Sequence, residues 1–287
     1  MTNPARRCSE AVNSFHSILY FAPDLDAELA TRGIGDPTEA YLAGRAAPLG
    51  AVGPGTVAAA FNAFAVPLIR EHIPAVWEKV TPDEAIAART RAADAVLERL
   101  LGIEVLNSPE LAQAATLANR AAQACSRPGR PMYSANADLD APERPHLALW
   151  HASTLLREYR GDAHVIALGY AELSGLEALV THCASPAGMP KELVMSKRGW
   201  SEMDWSAAER RLVERALMDE TGALTTEGIR LREDIEHETD RLDRSPYEYL
   251  GPERTRRLTR LAGQFVGLAA DADAFPAILR DFFVPAA

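Results

Sequence analysis

The sequence predicts a mainly α-helical protein of tandem winged-helix-like repeats with small β-wings. Three observations carry that expectation. Alanine, leucine, glutamate and arginine dominate, while alternating runs of valine, isoleucine and threonine are almost absent. Prolines and small polar residues stand where apolar-periodic stretches begin, which suits the first helical turn. Two long stretches also recur in the same order in the two halves of the chain.

In chain order, the periodicity predicts helices over Ala11–Phe21, Asp24–Arg32, Pro37–Ala46, Pro54–Glu71, Pro82–Leu100 and Pro109–Ala124. Arg127 to Pro145 is rich in proline, Asp and Asn and poor in large apolar groups, the composition of a linker. Helices are then expected over His146–Arg160, Asp162–Ala171 and Ser174–Cys183. Ser201 with Asp204 three residues on has the form of a capping box, opening a helix to about Met218 with Trp205, Ala208 and Leu212 as its apolar stripe. The segment DETGALTTEG turns at Thr221-Gly222, short enough for a two-stranded wing, and leads into a helix carrying Leu231, Ile235 and Leu242. A last helix starts near Pro252, and the tail DAFPAILRDFF is expected to dock by its aromatics.

RAAPLGAVGPGTVAAAFNAF from Arg45 parallels RGDAHVIALGYAELSGLEALV from Arg160. The stretch from Trp77 parallels the one from Trp200: each has a tryptophan, an acidic capping turn, an alanine-rich helix and a glycine stop. The domain organisation that follows is an N-terminal half 1–126, a linker 127–145 and a C-terminal half 146–287.

A chain of 287 residues, 47% hydrophobic, can bury a large core without a covalent staple. Cys8, Cys125 and Cys183 are odd in number and lack CxxC spacing, so they read as reduced thiols of a cytoplasmic protein. No window has the roughly 20 uncharged apolar residues of a membrane span, and the N-terminus lacks a secretory apolar stretch. The formal charge of −10 disfavours a polyanionic partner unless the basic residues gather on one face.

Polar density is greatest in WHASTLLREYRGDAH, Trp150 to His164, between strongly apolar flanks. On a helix His151, Leu155, Glu158 and Asp162 share one stripe, with Thr154, Arg157, Gly161 and His164 on the next. One reading is architectural: Arg157 or Arg160 forms buried ion pairs with Glu158, Asp162 or a distant carboxylate. The other is functional. In a cleft between the halves Arg157 and Arg160 hold a carboxylate or phosphate, His164 moves a proton, and Asp162 or Glu158 orients it. Tyr41 and Arg45 share a helix face at i and i+4, and Arg45 matches Arg160 in the repeat, so both arginines could face one pocket with His151. A metal held by His151, His164 and a carboxylate, with His16 from the other half, is a third reading, although the spacing fits no ligand motif. Taken alone, His16 reads as a core histidine. The adjacent His182 and Cys183 point apart on a helix, and GAVGPG lacks the lysine of a phosphate loop. The residues name no cofactor.

YLAGRAAPLG, LREYRGDAHVIAL, GLEAL, RGW and TGALTTEGIRLREDIEHETDRL together resemble the actinobacterial SalK-like family of helix-turn-helix proteins over nearly the whole chain. The second half is similar to winged-helix regulators of the multiple-antibiotic-resistance (MarR) class. Tyr159 departs from the REHRGD form of the motif, so a histidine there is not indispensable. The resemblance implies a fold and says little about activity.

A MarR-like DNA-binding regulator is therefore one functional reading, and charge opposes it. From Gly161 to Pro190, where the recognition helix is expected, no lysine or arginine occurs. Glu202 to Asp243 holds thirteen acidic residues and six basic ones. The favoured reading is a protein of specialised metabolism that binds or converts a small, anionic molecule, with a homodimer as one assembly the sequence allows. A purely architectural or dimerising role is the remaining alternative.

Overall fold

The structure is a computed structural model that describes residues 3–186 and 188–284. Its helices are, in order, α1 (Pro4–Ser17), α2 (Asp24–Ala30), α3 (Pro37–Ala46), α4 (Pro54–Phe61), α5 (Val66–His72), α6 (Val76–Lys79), α7 (Pro82–Leu106), α8 (Pro109–Ala122) and α9 (Pro131–Asn136). They continue with α10 (Pro145–Tyr170), α11 (Gly175–Cys183), α12 (Lys191–Arg198), α13 (Glu202–Glu214), α14 (Thr226–Asp243), α15 (Ser245–Leu250), α16 (Pro252–Asp271) and α17 (Arg280–Phe283).

Local chemistry starts these helices where the sequence signals it. Asp36 accepts from the backbone N–H groups of Thr38 and Glu39 at the head of α3, and Ser108 accepts from Leu111 N–H at α8. Reciprocal capping boxes open α7 (Thr81/Glu84), α11 (Ser174/Glu177) and α13 (Ser201/Asp204). Each satisfies donors that the first turn leaves without a helical acceptor.

The chain folds into two compact units that do not follow the sequence halves. The first comprises residues 1–51, 76–162 and 242–287, and the second comprises 52–75 and 163–241. The chain passes between them four times, after Ala51 and Ala75, inside α10 after Asp162 and inside α14 after Arg241. In the first unit α1 packs along α16, α2 against α7, and α8 against α15 and α16. Phe15, Leu97, Leu111, Leu261 and Val266 fill its core, each large side chain contributing about 2 kcal/mol relative to exposure. The second unit is built on Trp205, Leu212, Leu176, Val180 and Ile235, from α11, α13 and α14.

Several sequence expectations are corrected. The expected helix Pro54–Glu71 breaks at Asn62, whose φ of 50° closes α4. Gly175 lies against that corner: a Cβ there would meet Asn62 O at 2.0 Å. The expected break at Gly161 is absent, and α10 runs unbroken for 26 residues. The segment 127–145 lies within the first unit and contains a helix of its own, α9, while α12 had no counterpart in the sequence reading.

The β-wings are absent. Among the described residues there is no strand, only an isolated antiparallel bridge between Met218 and Leu224. Asp219 closes the turn too tightly for a ladder: its carboxylate accepts from Thr221 and Ala223 N–H, and its own N–H donates to Ala223 O. Thr225 then starts α14 at once. The corresponding place in the first half has no hairpin either. There Gly102, at φ 77°, kinks α7 and the chain continues through Leu106 into α8. Tandem winged-helix repeats are not supported, and the fold is mainly helical.

Candidate functional site

The polar side chains singled out in α10 separate into three groups. Two lie in the first unit. One follows the stripe of α10 that carries Trp150, Thr154 and Glu158.

Glu158 is 1% exposed and receives two guanidiniums. Arg45, from the last turn of α3, donates Nε to Oε1 at 3.2 Å and Nη2 to Oε2 at 3.1 Å, a forked pair. Arg157, one residue before Glu158, donates Nη1 to Oε1 at 2.5 Å. Burial alone would raise the Glu158 carboxyl, but Arg157 and Arg45 override it and hold the group well below the usual carboxylate range. Burial likewise opposes the charge on Arg45, and Glu158 more than restores it. Tyr41 accepts from Arg45 Nη1 at 3.4 Å.

An aromatic ladder extends from this pair. Tyr41 meets Tyr20, with ring centroids 5.1 Å apart, and Tyr20 stands edge-on to His16 at 5.1 Å. His16 stacks on Trp150 at 5.7 Å, and the guanidinium of Arg89 lies over the Trp150 ring at 5.4 Å. His16 is fixed at both ring nitrogens, 2.9 Å from Thr154 Oγ1 and 3.0 Å from Tyr20 Oη. Burial and the neighbouring Arg157 depress its basicity, so it is a neutral core histidine.

Arg89 is the residue that sequence reasoning missed. It is 4% exposed and donates to Gly44 O and to Asn136 Oδ1, both at 3.2 Å. Among the described residues its Nε has no partner, and it forms no ion pair. Burial lowers its basicity and Glu158 only partly offsets that. A signal was present: Ala85, Ala88, Ala92, Ala93 and Val96 form the buried stripe of α7, and Arg89 interrupts it. His151 is buried near Arg89 and has no hydrogen-bond partner among the described residues. Burial first, then the charge of Arg89, lowers it to about 4, so it is neutral.

The other candidates are occupied differently. Asp162 accepts from Tyr133 N–H at 2.9 Å and Met132 N–H at 3.4 Å, capping α9, and burial raises it to about 6. Arg160 reaches Asp243 Oδ2 at 3.4 Å, so Arg45 and Arg160 do not share a carboxylate. His164 belongs to the second unit, where its Nδ1 lies 3.1 Å from Thr239 Oγ1. Among the described residues no group of three or more His, Cys, Asp and Glu side chains is arranged to hold a metal. A groove of about 560 Å³, lined by residues including Ala115, Asn119, Arg120 and Ala148, runs between α8 and the start of α10 and shares none of the cluster's residues.

In the second unit two helices meet at a tight corner. Gly199 ends α12 in the left-handed conformation, φ 72°, and Ser201 caps α13 two residues later. Trp200 locks the corner by donating Nε1 to Ala63 O at 2.9 Å. Helix, short turn and helix follow one another here, and a helix-turn-helix family model matches residues 5–276 of the chain.

The chain belongs to the helix-turn-helix family.

No curated protein and no solved structure matches it. The head of α13 is acidic, with Glu202 exposed and Asp204 in the capping box. Of its basic residues, Arg211 pairs with Glu177 at 2.8 Å, and just beyond its end Arg215 donates to Ala171 and Glu172 carbonyls. Among the described residues no single helix is long and apolar enough to cross a membrane.

Proposed function

We propose that this helix-turn-helix family protein binds a small anionic molecule, a carboxylate or phosphate, at Arg45, Arg89 and Arg157 of its first unit. The observation that carries this reading is the buried guanidinium of Arg89, which among the described residues forms no ion pair and keeps a donor unused. Three guanidiniums stand against the single carboxylate of Glu158, while His16 and His151 stay neutral. Uncompensated buried charge is costly, and an anion relieves it. The Arg157 side chain, 21% exposed, offers an approach from solvent. Glu158 then acts by positioning Arg45 and Arg157. The roles first expected for Asp162 and His164, in proton transfer, find little support, because Asp162 is spent on the head of α9. The reading is therefore of a binding protein more than an enzyme.

Thermal denaturation in acetate, benzoate and inorganic phosphate tests it. An anion at about 100 times its Kd stabilises by ~2.7 kcal/mol, a shift of several degrees, and Arg157→Gln should abolish the shift. No shift with any anion, together with a lower melting temperature for Arg89→Met, would make the cluster architectural.

The second reading is a DNA-binding regulator. The α12–α13 corner favours it, as does the resemblance to SalK-like and MarR-class proteins. The acidic head of α13 opposes it, since a recognition helix presents its N-terminal residues to the groove. Fluorescence anisotropy with a mixed-sequence duplex decides between the two. The anion-binding reading expects no more than non-specific binding, with a Kd above roughly 1 μM at physiological salt. Tighter, sequence-dependent binding would favour the regulator.

A further inference from the structure

Ser9, Asp243 and Tyr247 bring three oxygens together in the first unit from three separate elements, α1, the end of α14 and α15. Ser9 Oγ, Asp243 Oδ1 and Tyr247 Oη are all buried, and among the described residues none has a hydrogen-bond partner within bonding geometry, although Ser9 lies close enough to act on both Asp243 and Tyr247. Buried orphan oxygens are rare, and three side by side call for a reason. The other oxygen of Asp243 has only the long 3.4 Å contact from Arg160 Nη1. The anion-binding cluster uses none of these groups.

We propose that Ser9, Asp243 and Tyr247 form a proton-operated latch holding α1 to the α14–α15 corner: closed when the Asp243 carboxyl is neutral, loosened when it ionises.

A neutral carboxyl carries an O–H that can donate to Tyr247 Oη or Ser9 Oγ after a small side-chain adjustment, so the trio satisfies itself without water. A carboxylate in the same place is 2% exposed; the hydroxyls of Ser9 and Tyr247 can turn to donate to it, but burial and the long Arg160 contact leave it less well solvated than in water. The charged and titratable groups facing it are Arg160 on α10, Arg130 ahead of α9, Tyr247 on α15, Cys8 on α1 and Cys125 beyond α8. Arg160, Arg130 and the Ser9 hydroxyl favour the ionised form. Arg130, however, is committed to the Tyr159 and Leu242 carbonyls and lies 3.7 Å over the Tyr159 ring. Burial wins, and the carboxyl is raised to about 7 from an ordinary value of 3.8. Burial also raises the thiols of Cys8 and Cys125 and the phenol of Tyr247, so near neutral pH Asp243 is the group in this cluster that changes charge.

The direction follows from linkage. A carboxyl raised in the closed state binds its proton more tightly there than in the open state. The closed state is thus favoured below about pH 4 and loses that advantage as pH rises to about 7. Between those limits the opening of α1 grows by about tenfold per pH unit, then levels off.

Hydrogen–deuterium exchange of α1, measured on the full chain and on Asp243→Asn at matched pH, reads this directly. The ratio of wild-type to variant exchange in α1 should climb between pH 5 and pH 7 and then stay flat. A carboxyl titration followed by NMR with labelled aspartate needs no variant, and should place one aspartate midpoint near neutrality that is missing in Asp243→Asn. A ratio independent of pH, or an Asp243 midpoint near 4, would overturn the latch.

Discussion

At the scale of single residues, the cluster around Glu158 is a set of charges held in place by each other. Glu158→Gln removes the acceptor shared by Arg45 and Arg157 and leaves both guanidiniums buried against a neutral amide. Urea denaturation at neutral pH should show a loss of about 3–5 kcal/mol, the range for breaking a buried pair from one side. Because the folded Glu158 carboxyl lies below its ordinary value of 4.5, its contribution is present above that pH and disappears on acidification. The gap between wild type and Glu158→Gln should therefore narrow as pH falls below about 4.5. Arg89 behaves in the opposite way. With no carboxylate to lose, Arg89→Met should be neutral or stabilise the ligand-free protein by about 1–4 kcal/mol.

At the scale of elements, the α12–α13 corner depends on one backbone position. Gly199 sits at φ 72°, and a Cβ there would approach Leu68 Cβ at 2.7 Å. Gly199→Ala therefore meets both a left-handed backbone and a packed side chain, and should cost about 1–3 kcal/mol by chemical denaturation. Ser201→Ala, which removes only the cap of α13, should cost about 1 kcal/mol. Equal losses for the two would mean that the corner tolerates an ordinary residue. The same elements show why the wing expectation went wrong. A Thr-Gly turn between apolar residues reads as a hairpin, but Asp219 folds its side chain over the turn and only the Met218–Leu224 bridge remains.

At the scale of the whole molecule, two sets of carboxyls oppose each other across the pH range. Glu158 adds stability above about 4.5, whereas Asp162, raised to about 6, and Asp243, raised to about 7, withdraw it as pH climbs through those values. Between about pH 4 and pH 7 the wild type should therefore lose melting temperature relative to Asp243→Asn, a comparison in which the buried neutral histidines His16 and His151, which act in the opposite sense, cancel. A difference between the two proteins that does not change with pH would mean that Asp243 titrates at its ordinary value.

Composition and periodicity were enough to determine a mainly helical chain. They also located most helix starts, because proline and capping side chains act within one turn of their own position. They marked the polar density of α10 as well, since charged residues between apolar flanks must find partners wherever the chain takes them. Only the tertiary structure decided which partners those were. Arg45 lies 113 residues from Glu158 and Asp243 lies 83 from Arg160, separations at which no local pattern operates. It alone put Arg89 at the end of the Trp150 ladder, assigned Asp162 to the head of α9, and sent α10 through both compact units. The physical reason is range: capping and periodicity act over a few residues, whereas charge pairing and burial depend on what the fold brings within a few ångströms.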